Sequence, residues 1–261
     1  MKLCVIHINA ESGSAPYTAQ IDGIFGKVKQ PDTKIVHRYA RLKRAGDTVY
    51  SYPYLLNKID VLHQFMDADR EGFDGAMVAC SGDPGVAEAR SLANMPIVGP
   101  MEATLHLACS YAYKFGIVTV KEQSWAEVCD MLVASNGLTS RFVGVERIGI
   151  ASPEAFVMGF TDGAATVVAE IEKAARALVE RGATAIVLGS AGLSCMASHA
   201  GLSSVPGTGV PIFDVLSVGL KTLEMRVELT KALGLPVTSR GGYMEQFPAK
   251  DADRVRKLFA I

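Results

Sequence analysis

Short apolar runs alternate with longer segments in which apolar residues recur every three or four positions. In the first part of the chain, the apolar runs predict strands at 2–9, 34–40, 73–80 and 95–100. Helical spacing predicts helices at 54–72, 84–93 and 101–112.

The second part of the chain has the same pattern. Its apolar runs predict strands at 114–120, 141–149, 183–190 and 210–215, and its amphipathic segments predict helices at 122–137, 163–182 and 218–234. The strands are apolar almost throughout, which is typical of parallel sheets covered by helices on both faces. The pattern therefore predicts an α/β protein.

A weak internal repeat divides the chain into two similar parts. "FDGAMVACSGDPG…MPIVGP" aligns with "ATAIVLGSAGLS…VPIFDV", and "KLCVIHI" aligns with "KFGIVTV". This repeat predicts two α/β units that face each other. We assign residues 1–100 and 216–261 to the first unit and residues 101–215 to the second. The stretch 194–209 is rich in small and polar residues and is predicted to be a long functional loop.

Composition narrows the range of partners. The chain has 261 residues, of which 49% are hydrophobic and 20% charged, and this fits one large or two small globular domains. A net charge of -1 without a long basic run argues against nucleic acid. The N-terminus lacks the features of a signal peptide and no apolar run is long enough for a membrane span. We expect a cytoplasmic protein with a small-molecule substrate and no membrane partner, and from general frequencies a symmetric homo-oligomer.

The cysteines do not form a known metal or disulfide pattern. There are five of them, widely spaced and without a Cys-x-x-Cys pair, which disfavours zinc and thioredoxin-like chemistry. Cys4, Cys109 and Cys129 lie inside strand or helix patterns and are expected to be buried structural residues. Cys80 differs, because it ends an apolar run and the turn "SGDPG" follows at once. It is either a core residue or a thiol at the rim of a sheet, and the turn favours the second interpretation.

Ligands of open parallel sheets bind beyond the carboxyl ends of the strands. If the two units face each other, Cys80 and Ser190 take equivalent places on opposite walls of one cleft. Tyr17 and Tyr54 are candidates for the pocket wall. The other polar groups predicted at or just after the strand ends are Asn9, Ser81, Gly82, Thr119, Ala191 and Gly192.

A thiol in this position has a chemical use. A helix predicted to begin near Pro84 would favour negative charge at its N-terminus, so it would bind a carboxylate or lower the pKa of a nearby thiol. A thiolate can remove a proton from a carbon next to a carbonyl, and loop amides can stabilise the resulting enolate. Racemisation requires one such group on each face of the carbon, which two related halves supply.

The chain resembles the aspartate/glutamate/hydantoin racemase superfamily over nearly its whole length, and the hydantoin racemases most of all. The resemblance is carried by "DGAMVACSGDPGVAEARSLANMPIVGPMEATLHLA", "KFGIVTVKEQSWAEVCDMLVASNGL" and "AIVLGSAGLS…GVPIFD". It implies two flavodoxin-like units with a cleft between them and two catalytic thiols that need no cofactor or metal, the first of which matches Cys80. The substrate would be a small hydantoin-like ring or an amino-acid-like carboxylate. Its oxygens would be held by the amides of Ser81, Gly82, Ala191 and Gly192, and Asn9 and Thr119 would position it.

The chain departs from the family pattern at the second thiol. Family racemases have Gly-Cys-Ala-Gly where this chain has "GSAG", so Ser190 stands in place of a cysteine. Three explanations follow: a Cys-to-Ser variant of a racemase, a natural one-thiol enzyme with other chemistry, or Cys195 entering the cleft from the loop. The opening segment also differs, because "HINAESGS" replaces the usual Asn-Pro-Asn. The alternatives to racemisation are a one-thiol lyase, decarboxylase, isomerase or desulfurising hydrolase, and a non-catalytic binding module.

Overall fold

A computed structural model describes residues 1–259. It contains two four-stranded parallel sheets with the same strand order, β2-β1-β3-β4 and β6-β5-β7-β8. The strands of the first sheet are β1 (Lys2–His7), β2 (Lys34–Tyr39), β3 (Gly75–Val78) and β4 (Ile97–Val98). Those of the second are β5 (Phe115–Thr119), β6 (Phe142–Arg147), β7 (Ala185–Leu188) and β8 (Ile212–Phe213).

Helices cover both sheets. They are α1 (Ala15–Val28), α2 (Ser51–Arg70), α3 (Val86–Arg90), α4 (Pro100–Tyr111), α5 (Gln123–Ser135), α6 (Ser152–Gly159), α7 (Ala164–Glu180), α8 (Ala191–His199), α9 (Val215–Leu233) and α10 (Ala249–Phe259). The two-unit α/β fold predicted from the repeat is confirmed, with two parallel sheets of matching order.

The inner strands β1, β3, β5 and β7 are almost completely buried, as expected for parallel strands covered on both faces. Glycines allow the covering helices to approach closely. A Cβ at Gly75 of β3 would lie 2.9 Å from Leu223 and Val227 of α9, and a Cβ at Gly116 of β5 would lie 2.8 Å from Leu178 of α7. Each unit therefore has a strand glycine that lets a covering helix approach closely, in β3 of the first sheet and in β5 of the second.

The prediction of a loop over 194–209 is wrong in its first part, because α8 continues to His199. Seven consecutive residues at the start of α8 are buried, where the helix packs against α1, α7 and α9. A helix that is buried all round shows no amphipathic period, so a stretch of small residues of this kind predicts a loop instead of a helix. The pattern also failed to predict α1 and α6.

The unit boundary near Pro100 stays a prediction. In the structure α9 packs along α4 and against β3 and β4 of the first sheet. Among the described residues, no helix combines the length and apolar content needed to cross a bilayer.

Candidate active site

The two strand ends that carry Cys80 and Ser190 meet at one carbonyl oxygen. Ser81 Oγ, just after Cys80, donates a hydrogen bond of 2.9 Å to the oxygen of Gly189, just before Ser190. Thr119 Oγ1 and Trp125 Nε1 also donate to this oxygen, each at 2.9 Å. Residues 108 positions apart in sequence are thus joined, and Cys80 and Ser190 flank the contact between the two units.

Cys80 lies at the end of the β3 segment and is 4% exposed. The Gly82 N–H donates to its sulfur at 3.4 Å. Burial, with a smaller contribution from the nearby Asp83 carboxyl, nevertheless raises the pKa of the Cys80 thiol to about 12. The expectation that a helix end lowers this pKa is wrong for this structure, since α3 begins only at Val86. The free enzyme therefore holds Cys80 as a neutral thiol at pH 7.

Asp83 anchors the turn after Cys80 to α4. Its carboxylate accepts the Met101 N–H at 3.0 Å and the Glu102 N–H at 2.8 Å, which caps the N-terminus of the helix. Burial raises the pKa of Asp83 to about 7, and these two hydrogen bonds oppose the rise. Among residues 1–259 it is the one non-glycine residue with a positive φ, +48°. Asp tolerates this conformation better than most residues, so the backbone and the cap both require it.

We expect Asp83→Ala to lower the free energy of unfolding by about 2 to 3 kcal/mol, because it removes a helix cap and places alanine at positive φ. Asp83→Asn keeps one acceptor and the left-handed preference, so it should lose only about 1 kcal/mol. Urea unfolding measures both. Asp130→Ala, at an exposed position of α5, is the control. Equal stabilities for all three variants would show that the cap does not hold this turn.

Ser190 is 5% exposed and caps α8. Its Oγ accepts the Leu193 N–H at 3.5 Å, which leaves its own proton free to be donated. The first N–H groups of a helix have no partner inside the helix and favour negative charge. The amides of Ala191 and Gly192 belong to this first turn. The N-terminus of α8 is therefore suited to bind a carbonyl oxygen that becomes the oxygen of an enolate.

The positions predicted to orient the substrate differ in what they do. Asn9 is buried just after β1, and the backbone beside it is fixed by Asn57 Nδ2, which donates to the Ile8 oxygen at 2.6 Å. Thr119 is also buried, but its hydroxyl is engaged with Gly189. Any effect of Thr119 on a substrate therefore runs through the Gly189 carbonyl.

Sequence reasoning missed Trp125, which donates to the Gly189 carbonyl and contacts Tyr54, a residue already predicted for the pocket wall. Trp125 is the one tryptophan of the chain, and its indole meets Tyr54 edge-on with ring centroids 6.1 Å apart. Tyr54 in turn donates to the Gly82 oxygen at 2.7 Å. Cys129, expected to be structural, is buried with its sulfur 3.8 Å from the Gly189 oxygen. A lone tryptophan in a helix after a strand end was the available signal.

Cys195 lies in the second turn of α8 and not in a loop, which corrects its predicted setting. It is completely buried, and burial together with the Asp214 carboxyl raises the pKa of its thiol well above the usual value. The Tyr17 hydroxyl lies near the Cys195 and Cys80 thiols, since both raise its pKa, although burial is the larger cause. Asp214 caps α9 by accepting the Leu216 N–H at 2.9 Å. Cys195 is thus a residue of α8 that is buried in the protein interior near Tyr17.

No three His, Cys, Asp or Glu side chains of the described residues lie close enough together to hold a metal ion. The polar groups around Cys80 and Ser190 are hydroxyls, backbone amides, thiols, the Trp125 indole and the Asp83 carboxyl.

Comparison with known proteins places the chain in a family. The model of the Asp/Glu/Hydantoin racemase family matches residues 4–223. A hydantoin racemase from Pseudomonas sp. (strain NS671) is 30% identical over 231 residues, which are 88% of each protein. The structure of allantoin racemase from Klebsiella pneumoniae superposes with a TM-score of 0.78 at 28% identity, covering 95% of this chain and 94% of that one. A glutamate racemase from Bacillus anthracis, 13% identical, shares the fold with a TM-score of 0.58 over 99% of this chain and 94% of its own.

The chain belongs to the Asp/Glu/hydantoin racemase family, and the resemblance inferred from the motifs around Cys80 and Ser190 is confirmed. It is a racemase/isomerase enzyme of this superfamily.

Proposed function

We propose that the enzyme moves a proton at the acidic carbon of a small hydantoin-like ring, with Cys80 on one face of that carbon and Ser190 on the other. The observation that carries the proposal is the hydrogen bond from Ser81 to the Gly189 oxygen, which makes the two strand ends neighbours. The hydantoin and allantoin racemases similar to this chain support the ring as substrate.

The chemistry starts from a neutral thiol. Before Cys80 can act as a base, it must transfer its thiol proton to a hydroxide ion from the solvent, and the high pKa of the buried thiol means that the resulting thiolate is a strong base. As the ring carbon loses its proton, charge moves to the adjacent carbonyl oxygen. The amides of Ala191 and Gly192 at the start of α8 are placed to stabilise that charge. Ser190 then supplies a proton to the opposite face.

Ser190 makes proton transfer at the two faces of the ring carbon unequal. A serine hydroxyl is a far weaker acid than a thiol, so donation from Ser190 leaves an alkoxide that only the end of α8 stabilises. Proton return from Cys80 to the face it came from is therefore the easier step. This asymmetry favours a second candidate, one-sided chemistry such as decarboxylation or isomerisation on a related ring, in which Cys80 alone handles the proton.

Deuterium exchange tests the proposal. An enantiopure 5-substituted hydantoin is incubated with the enzyme in deuterated water, and optical rotation and deuterium content are followed together. We expect deuterium uptake with slower loss of optical rotation. Uptake with fully retained configuration would indicate one-sided transfer. Release of carbon dioxide or sulfide without exchange would contradict the proposal and favour a lyase or a desulfurising hydrolase.

A further inference from the structure

Three aromatic rings form a continuous row beside the segments that carry Cys80 and Ser190. Phe156 in α6 stacks on Phe160 just after that helix, with centroids 6.3 Å apart and planes 14° from parallel. Phe160 contacts Tyr17 of α1, with centroids 6.1 Å apart. We call these three residues the aromatic strip. All three are half-buried, whereas Cys80 and Ser190 are almost completely buried. The strip is thus more exposed to solvent than the two proposed catalytic side chains.

The two ends of the aromatic strip contact the two walls of the site. The ring of Phe156 lies against Gly192, so closely that a Cβ at residue 192 would collide with it. At the other end, the Tyr17 hydroxyl donates to the Ala79 oxygen at 3.1 Å, one residue before Cys80. The strip therefore reaches from the helix end proposed to hold the substrate oxygen to the segment that carries the thiol.

The helix that carries Phe156 is held against α8. Met196 of α8 packs onto Gly159 of α6, where a side chain would collide with it. The start of α6 is fixed by Glu122, whose Oε1 accepts the Ser152 N–H at 2.9 Å. The position of Phe156 is thus set by contacts on the same helix that Ser190 caps, and not by a free loop.

We propose that the aromatic strip selects the substituent on the reacting ring carbon and favours apolar groups, benzyl or branched alkyl, over polar groups such as ureido. The inference rests on the proposed function. The one polar atom of the strip, the Tyr17 hydroxyl, donates its proton to Ala79 and can only accept a further bond, so a ureido group buried there would lose more hydrogen bonds to water than it gains. Admission of the substrate requires Phe156 to move off Gly192.

The test compares substrates that differ only in the substituent. Deuterium exchange is measured with 5-benzylhydantoin, 5-methylhydantoin and allantoin, which carries a ureido group. For the unaltered enzyme we expect kcat/KM for the benzyl compound to exceed that for allantoin by about 10-fold or more. Phe156→Ala should lower kcat/KM for the benzyl compound by about 10-fold, mainly through KM, and leave the methyl compound within about threefold.

Three further variants control for indirect effects. Val157→Ala alters the next residue of the same helix, 68% exposed, and should change none of the three rates. The melting temperature of Phe156→Ala shows whether its loss of activity comes from unfolding, and Phe156→Leu, which keeps most of the packing volume, is the comparison. Phe160→Ala should repeat the selective loss, because it removes the ring on which Phe156 stacks.

Binding supplies a readout that does not depend on turnover. Trp125, the one tryptophan, donates to the Gly189 oxygen inside the site, so its fluorescence should report 5-benzylhydantoin binding. If the enzyme exchanges deuterium but neither Phe156→Ala nor Phe160→Ala changes the benzyl-to-methyl ratio, the inference is overturned while the proposed function stands. If no hydantoin exchanges, the proposed function fails. The inference then survives only if Phe156→Ala weakens 5-benzylhydantoin binding.

Discussion

Replacing Cys80 with alanine is expected to reduce deuterium exchange at the ring carbon by about 10³-fold or more, because a general base in a proton transfer typically contributes 10²- to 10⁴-fold. The thiol is placed for this by three contacts of the turn that follows it. Gly82 donates to the sulfur, Ser81 ties the turn to Gly189, and Asp83 ties it to α4. Exchange is followed by mass spectrometry, with circular dichroism to confirm folding.

The matched control is Cys109→Ala. Cys109 is a free cysteine in α4 and is more exposed than Cys80, so it would be the first thiol to react with a general alkylating agent. We expect this variant to keep full exchange. If Cys80→Ala exchanges as fast as the unaltered enzyme, Cys80 is a core residue and the chemistry lies elsewhere.

The sequence predicted that Cys80 and Ser190 are neighbours because the two residues follow equivalent strands of an internal repeat. Parallel strands that are buried on both faces leave a strong apolar signal, and a strand end followed by a glycine turn leaves another. Both signals are local in the chain. The structure bears out the fold that they predict, with β3 and β7 in the same position of their sheets.

What the sequence could not supply depends on contacts between distant segments. Nothing local to Gly189 shows that its carbonyl accepts from Ser81, Thr119 and Trp125, since these donors come from two other parts of the chain. The pKa of Cys80 was expected to fall because of a helix end nearby, but burial outweighs the one N–H that reaches the sulfur. Local motifs identify the candidate catalytic groups, whereas packing in the folded protein determines their pKa values.

Helix α6 is a second feature that the sequence pattern does not predict. Phe156 packs against Gly192 of α8 and Gly159 packs against Met196 of α8, and neither segment has the regular period by which a surface helix is recognised. Phe156 and Gly192 are informative only as a pair, because the glycine is explained by the ring that lies on it. The contact between Phe156 and Gly192 therefore cannot be predicted from either segment alone.

Ser190→Cys is expected to increase racemisation of an enantiopure hydantoin by about 10²-fold or more, because it supplies a second group that can both donate and accept a proton near neutral pH. The position suits a thiolate. The side chain at 190 caps α8 and accepts the Leu193 N–H, and helix N-termini lower the pKa of cysteines. The gain should appear as loss of optical rotation that keeps pace with deuterium uptake.

Two companion variants separate a second base from a general effect of an added thiol. Ser194→Cys places a thiol in the same helix one turn further on, where the native hydroxyl accepts the Val215 N–H, and should bring no gain. Ser190→Ala removes the hydroxyl and should slow racemisation more than exchange, because Cys80 remains. A large gain in Ser190→Cys alone would mean that serine stands in for a thiol in a two-base site. No gain would mean that the opposite face of the carbon needs no base, and the one-sided chemistry of Cys80 would become the leading proposal.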